Sequence, residues 1–190
     1  MAINESKSCL PIVIDVEASG FGQGSYPIEV GFIGSDGASF CSLIRPQQHW
    51  TAWDTEAAKV HGLNRDVLSE RGREVRDVAN MLNHHLAGET VYSDAWGQDY
   101  AWLSLLFEEA GVSMEFKLEP LSSVMTESQK NVWHQTRKRV EQMLGLRRHR
   151  ASSDARIIQM TYHWSDGSEL CKSQHAALGP TSGSSGHRAA

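Results

Sequence analysis

The run Ile12-Val-Ile-Asp-Val-Glu17 is β-branched and apolar except at two alternate positions, and it predicts a buried strand. Pro27–Ile33 and Ala38–Ile44 have the same character, and Ser35-Asp-Gly37 between them carries the residue types of a tight hairpin turn. The first 45 residues therefore predict an antiparallel three-stranded meander. The period then changes. Thr55–His61 predicts a short helix closed by Gly62, and Asn64 is placed to cap the turn that follows. Val75, Val78, Ala79, Leu82 and Leu86 recur at helical spacing up to Gly88. Thr90–Ser93 reads as a strand. Asp99 opens a helix whose inner face is Trp102, Leu103, Leu106, Phe107 and Ala110, ended by Gly111. Phe116–Leu118 predicts a fifth strand, and Val132–Leu144 and Ser153–Trp164 two further helices.

The order βββ-α-β-α-β-α predicts an α/β fold with a mixed sheet and helices on its faces. Residues 1–170 form one expected domain. Residues 171–190 turn to Ser, Gly, His and Ala around Pro180, and Gly179–Ala190 is expected to be a disordered tail. No apolar run reaches the roughly 18 residues of a membrane span, and Met1–Leu10 lacks a signal-peptide pattern. The expected location is cytoplasmic, with no membrane partner. Three scattered cysteines, Cys9, Cys41 and Cys171, exclude a disulfide scaffold or CxxC zinc site. Eighteen basic against 23 acidic residues give a net charge of −5, so bulk positive charge cannot drive binding to nucleic acid. Metal ions bridging carboxylates to phosphates can.

Asp15 and Glu17 sit two apart, so strand alternation puts both on one face and Ile14 and Val16 on the other. Two adjacent acids at the end of a buried strand repel and are costly to desolvate, and a divalent cation relieves both costs. The structural alternative is a strand end with solvated acids. Asp99 is a metal-ligand candidate or a first-turn helix acid. Asp94 competes with it, but at a strand end it has no helix to anchor it. Asp154 lies five residues after His149, close enough for imidazole and carboxylate to share a site.

Taken together, these elements resemble the DEDDh (DnaQ-like) 3′–5′ exonuclease family. Ile14-Asp-Val-Glu-Ala-Ser-Gly-Phe21 matches its first motif, Asp99-Tyr-Ala-Trp-Leu103 its second, and His149-Arg-Ala-Ser-Ser-Asp-Ala155 its third. Ile28-Glu-Val-Gly31 and Val60-His-Gly-Leu63 also agree, and the likeness spans roughly residues 11–164. The first motif is close to that of the ribonuclease T branch. Ala95 replaces the family's usual Asn, and Ala18 and Ser19 replace a Thr pair. None of these is a metal ligand, so the departures bear on substrate preference.

The resemblance implies a ribonuclease H-like fold and two Mg²⁺ or Mn²⁺ ions held by Asp15, Glu17, Asp99 and Asp154. It also implies that His149 takes the proton from the attacking water. The substrate would be the 3′ end of single-stranded RNA or DNA, and the product a nucleoside 5′-monophosphate. Ser19, Phe21, His61, Leu63 and Trp96 are the expected substrate contacts. Phe21 and Trp96 are either stacking surfaces for bases or core residues. Arg137, Lys138, Arg139, Arg147, Arg148 and Arg150 are either phosphate contacts or a solvated face. Small members of the family are often homodimers, so a homodimer is expected. Two other classes stay open: a catalytically silent module that binds nucleic-acid ends, and a phosphoesterase acting on small nucleotides.

Overall fold

The computed structural model describes residues 10–167, so the expected C-terminal tail, Cys9 and Cys171 lie outside the described residues. The strands are β1 (Ile12–Ala18), β2 (Pro27–Ile33), β3 (Ser39–Leu43), β4 (Thr90–Ser93) and β5 (Lys117–Pro120). They form one sheet in the order β3-β2-β1-β4-β5. β1 pairs antiparallel with β2 and parallel with β4, and β4 runs parallel to β5. The β2–β3 hairpin closes at Gly37, whose φ of 85° is left-handed and suits glycine. Every residue of β2 is buried, because helices cover both faces of the sheet.

Those helices are α1 (Thr55–His61), α2 (Arg65–Arg71), α3 (Val75–Leu86), α4 (Trp96–Ala110), α5 (Glu127–Leu144) and α6 (Ala151–Ser165). This is the expected α/β, ribonuclease H-like mixed sheet, with differences of detail at several element boundaries. The turn after Asn64 is a full two-turn helix, α2, and Asn64 does cap it by accepting the Val67 amide. α4 starts at Trp96, which places Asp99 in its first turn rather than at its head. α5 starts at Glu127, five residues before Val132, because Thr126 and Gln129 form a reciprocal capping box. No helix among the described residues is long and apolar enough to cross a membrane.

Alternation along β1 divides the core. Ile14 and Val16 join Ile28, Val30, Leu82, Leu103, Leu106 and Phe107 in the larger cluster. Val13, on the opposite face, packs with Ile33, Leu121, Ala155 and Ile158 under α6. α6 is also fastened by polar contacts. Buried Gln159 donates its amide to the carbonyls of Pro11 and Gly34, both at 2.9 Å.

At its N-terminus α6 comes so close to β2 that only glycine fits at position 31. A Cβ there would overlap the Ser152 nitrogen and lie 2.8 Å from the carbonyl carbon of Ala151. Backbone cannot rotate away as a side chain can. Gly31→Ala should therefore destabilise the protein by about 1–3 kcal/mol, as overpacking usually does. At about 2–4 °C per kcal/mol for a domain this size, the drop is visible in a thermal melt. Gly97→Ala is the control. Nothing lies within 4 Å of a Cβ at Gly97 in α4, so that change should be neutral or stabilising. Equal melting temperatures for Gly31→Ala and wild type would refute the close approach.

Candidate active site

Asp15 and Glu17 leave β1 on the α6 side, as period-2 alternation requires. The register with β2 shifts between Glu17 and Ala18, an irregularity of the kind that re-aims side chains beside sites. Asp99 reaches the same space from the first turn of α4. It is 1% exposed and accepts a hydrogen bond from the Ser93 hydroxyl, which itself accepts the Ala95 amide at 3.0 Å. Asp154 comes from the first turn of α6. His149 precedes that helix with φ at 60°, an uncommon left-handed value for a residue with a Cβ. Its backbone N–H turns back to donate to Asp154 Oδ2 at 2.7 Å. Ligand atoms of Glu17, His149 and Asp154 all lie within 4.8 Å of one another.

These groups line a cleft of about 640 Å³ together with Asp15, Asp94 and Asp99. α1 supplies one wall through Val60 and His61, and Arg137 and Arg148 supply cations from the other side. Burial pushes the Asp15 carboxyl well above the usual range, and the charges of Asp99, Glu17 and Asp154 push it further. Burial, then Asp154 and Glu29, raise Glu17 to about 7. Burial also raises Asp99 to about 7, although hydrogen bonds from Ser93 and the Val16 backbone oppose it. Asp154 is raised by burial and held back by the His149 amide.

Burial raises the carboxyls of Asp15, Glu17, Asp99 and Asp154 alike, and a cation among them would offset that cost. Asp154 Oδ1 makes the same point, being buried with no hydrogen-bond partner. Oxygen donors dominate the group, so it suits a hard divalent cation such as Mg²⁺ or Mn²⁺.

Phe21 stands at the rim of the cleft, 81% exposed, with its ring 6.2 Å from that of Trp102. His61 lines the cleft. Its Nδ1 accepts the Leu63 amide at 3.0 Å, which leaves the ring proton on Nε2, and Nε2 is buried without a partner. Ser19, Leu63 and Trp96 lie outside the cleft lining. The Ser19 hydroxyl accepts the Tyr26 amide, Leu63 is buried in the core, and Trp96 donates to the Leu118 carbonyl while stacking on Tyr100.

Asp94 does have an anchor. Arg137 of α5 binds it at 2.6 Å and also contacts Glu141 at 3.3 Å, a pairing across 43 residues that no local pattern signals. Of the basic segment, Arg148 lines the cleft and Arg150 turns inward to the buried Glu29.

No protein-family model matches the chain, and no curated protein matches it in sequence. Solved structures do match. An exonuclease I structure solved for the basis of its processivity aligns over 78% of this chain and 39% of its own, with a TM-score of 0.61 and 12% identity. The chain shares the fold of the part of exonuclease I with which it aligns. E. coli exonuclease I in complex with a 5cy-dA13 oligonucleotide aligns over 80% of this chain and 39% of its own, with a TM-score of 0.58 and 11% identity. For exonuclease I from Methylocaldum szegediense the TM-score is 0.51 and the identity 14%, over 68% of this chain and 30% of that one. At such identities the likeness to exonuclease I is one of fold, and this chain spans less than two fifths of the length of these proteins.

The carboxylate cluster predicts a metal-linked stability switch. Without metal, a carboxyl raised to about 7 in the fold binds its proton more tightly than in the unfolded chain. Stability is then lost as pH rises from the unfolded value, near 4, through about 7. In EDTA near pH 8, Glu17→Gln should stabilise by about 1–2 kcal/mol after allowance for solvent at Glu17, or about 2–6 °C in melting temperature. Near pH 5 the gain should shrink. With saturating Mg²⁺ at the higher pH the order should reverse, because the wild type then gains a ligand for its charge. Parallel melting curves test this, and a pH-independent difference would rule out the shared-charge explanation.

Proposed function

We propose that this chain is a metal-dependent 3′–5′ exonuclease that releases nucleoside 5′-monophosphates from single-stranded RNA or DNA. The observation that carries the reading is convergence. Four carboxylates from β1, α4 and α6 line one cleft with His149, and Asp154 keeps a buried oxygen free of protein partners. The resemblance of the three sequence motifs and the exonuclease I fold support it, as does the oligonucleotide held by the E. coli relative in fold.

Asp15, Glu17, Asp99 and Asp154 would hold divalent ions, two by the family pattern. When bound, such ions polarise the phosphodiester and stabilise the charge that develops on the attacking and leaving oxygens. His149 takes the proton of the attacking water as a general base. Its N–H bond to Asp154 fixes the backbone, so the imidazole is aimed rather than free. Phe21, exposed at the rim, offers a face for the terminal base, worth about 1–3 kcal/mol per stacked base. His61 Nε2–H is a neutral donor for a substrate oxygen, and burial pushes the ring away from the charged form. Arg148 offers charge to phosphates. All of these groups come from one chain, so the site needs no second copy even if the expected homodimer forms.

A length series of labelled single-stranded RNA and DNA, with Mg²⁺, Mn²⁺ or EDTA, tests the proposal. A ladder shortening from the 3′ end, monophosphate products and silence in EDTA are expected. Hydrolysis of mononucleotides alone would make the protein a small-nucleotide phosphoesterase, and binding without cleavage a silent end-binding module.

Within that assay Asp15→Asn should lose roughly 10²–10³-fold or more, the scale of removing a fixed charge-stabilising group. His149→Ala should cost roughly 10²–10⁴ in rate, the usual worth of a positioned base, while Mn²⁺ affinity stays close to wild type. Asp99→Asn should be far more damaging than Asp94→Asn, because Asp94 is neutralised by Arg137. Full turnover by Asp15→Asn would sink the metal assignment, and the reverse ranking of the two aspartates would exchange their roles.

A further inference from the structure

Glu29 lies on β2 directly across from Glu17 in the sheet register and is completely buried. A carboxylate in that position costs several kcal/mol unless it is paired and hydrogen-bonded. Its partners come chiefly from one place. Arg150 Nη2 donates to Oε1 at 2.6 Å, and Arg150 Nε reaches both oxygens at 3.1 and 3.0 Å. The Ala151 amide donates to Oε2 at 3.0 Å, and the Cys41 thiol to Oε1 at 3.2 Å.

Arg150 and Ala151 are the cap and first residue of α6, and that helix has no side-chain cap of its own. Glu29 supplies the acceptor that a Ser or Asp cap would ordinarily offer to a free first-turn amide. The residue just before Arg150 is His149. Three consecutive residues are thus pinned, His149 to Asp154 and the next two to Glu29. The left-handed φ of His149 sits between these two restraints.

We propose that Glu29 is a positioning residue, which through the Arg150 fork and the Ala151 amide sets where α6 begins and so where His149 points. This rests on the catalytic reading of His149 given above. A well-packed apolar pair could bury the same surface at lower cost. It could not fix direction, whereas a planar guanidinium held at both carboxylate oxygens does.

Two variants test it. Glu29→Gln keeps volume and one acceptor, and Arg150→Lys keeps charge and loses the fork. On a single-stranded oligonucleotide each should lower kcat by roughly 10–100-fold, the scale of a reacting group misplaced by about 1 Å. KM should stay within about threefold, because the substrate contacts are untouched. In the same proteins, hydrogen exchange at the His149 and Ala151 amides should accelerate about tenfold or more, with β2 amides unchanged. Arg45→Ala, which breaks the exposed Arg45–Glu74 pair, is the control and should leave kcat as it is.

Wild-type kcat and exchange in Arg150→Lys would overturn the proposal. So would a loss of kcat accompanied by faster exchange throughout the core, which is the signature of a merely structural role. If Glu29→Gln does not fold, Arg150→Lys still decides. If the wild type degrades no oligonucleotide, the exonuclease reading fails, while the exchange comparison still tells whether Glu29 holds His149 in place.

Discussion

Asp15 and Glu17 leave β1 on one face, and Asp99 and Asp154 arrive from the first turns of α4 and α6. Two like charges 4 Å apart repel by about 4 kcal/mol at an effective dielectric constant of 20. Helix N-termini offset some of this. A carboxylate in a helix's first turn gains about 0.3–1 kcal/mol, and up to ~2 in partly buried geometries. Even two such terms fall short of the repulsion plus the desolvation of Asp15 and Asp99. The remainder must be met by protons or by a cation, and the raised carboxyls record that shortfall. The core under α1–α4 supplies the stability that lets the sheet carry such a load, at about 1.5–3 kcal/mol for each large apolar side chain buried.

The same load explains how the helices are attached. A cluster that repels itself tends to push its elements apart, so α6 cannot rely on apolar packing alone. Its apolar contact with the sheet runs through Val13, Ile33, Ala155 and Ile158. Gln159 ties its middle to the ends of β1 and β2, and Glu29 ties its start to β2. Gly31, paired in register with Asp15, lets the backbone of Ala151 and Ser152 come down onto the strand. His149 and Asp154 are therefore set against Asp15 and Glu17 by backbone contact, which is stiffer than contact through long side chains.

What the sequence made legible is what depends on neighbours along the chain. Alternation placed Asp15 and Glu17 on one face, Ser35-Asp-Gly37 marked the hairpin, and Asn64 marked a cap. The Thr126–Gln129 capping box was equally local, and its spacing of three could have placed the start of α5 at Glu127. Other features were illegible because they depend on distant partners. Arg150 meets Glu29 across 121 residues, and Arg137 meets Asp94 across 43, with no periodicity to connect them. Side-chain direction in the substrate motif was hidden for the same reason. Ser19, Leu63 and Trp96 are oriented by Tyr26, by core packing and by Leu118, so position in a motif did not place them in the cleft. Phe21 beside Gly20 touches only the edge of the core, at Trp102, and emerged exposed.

The shape of the cleft bears on whether a chain end or an interior segment suits it. One wall is α1 and the other is the loop that carries Arg148 and His149. A Cβ at Gly62, the residue that ends α1, would lie 2.5 Å from Arg147 Nη2, so the guanidinium lies over the end of that helix. Phe21 and Trp102 also line a neighbouring hollow that reaches Gln98. Any group passing over Gly62 would have to displace the Arg147 guanidinium. Opening that contact costs little in itself, because the guanidinium is exposed and surface interactions of this kind are worth about 0–1 kcal/mol. Under the proposed function the stronger bias comes from Phe21, whose exposed aromatic face favours a strand with an unpaired base to stack. Under the proposed function, the exposed face of Phe21 and the buried carboxylates ask for the same kind of completion: each leaves one partner, a base or a cation, to be supplied from outside the chain.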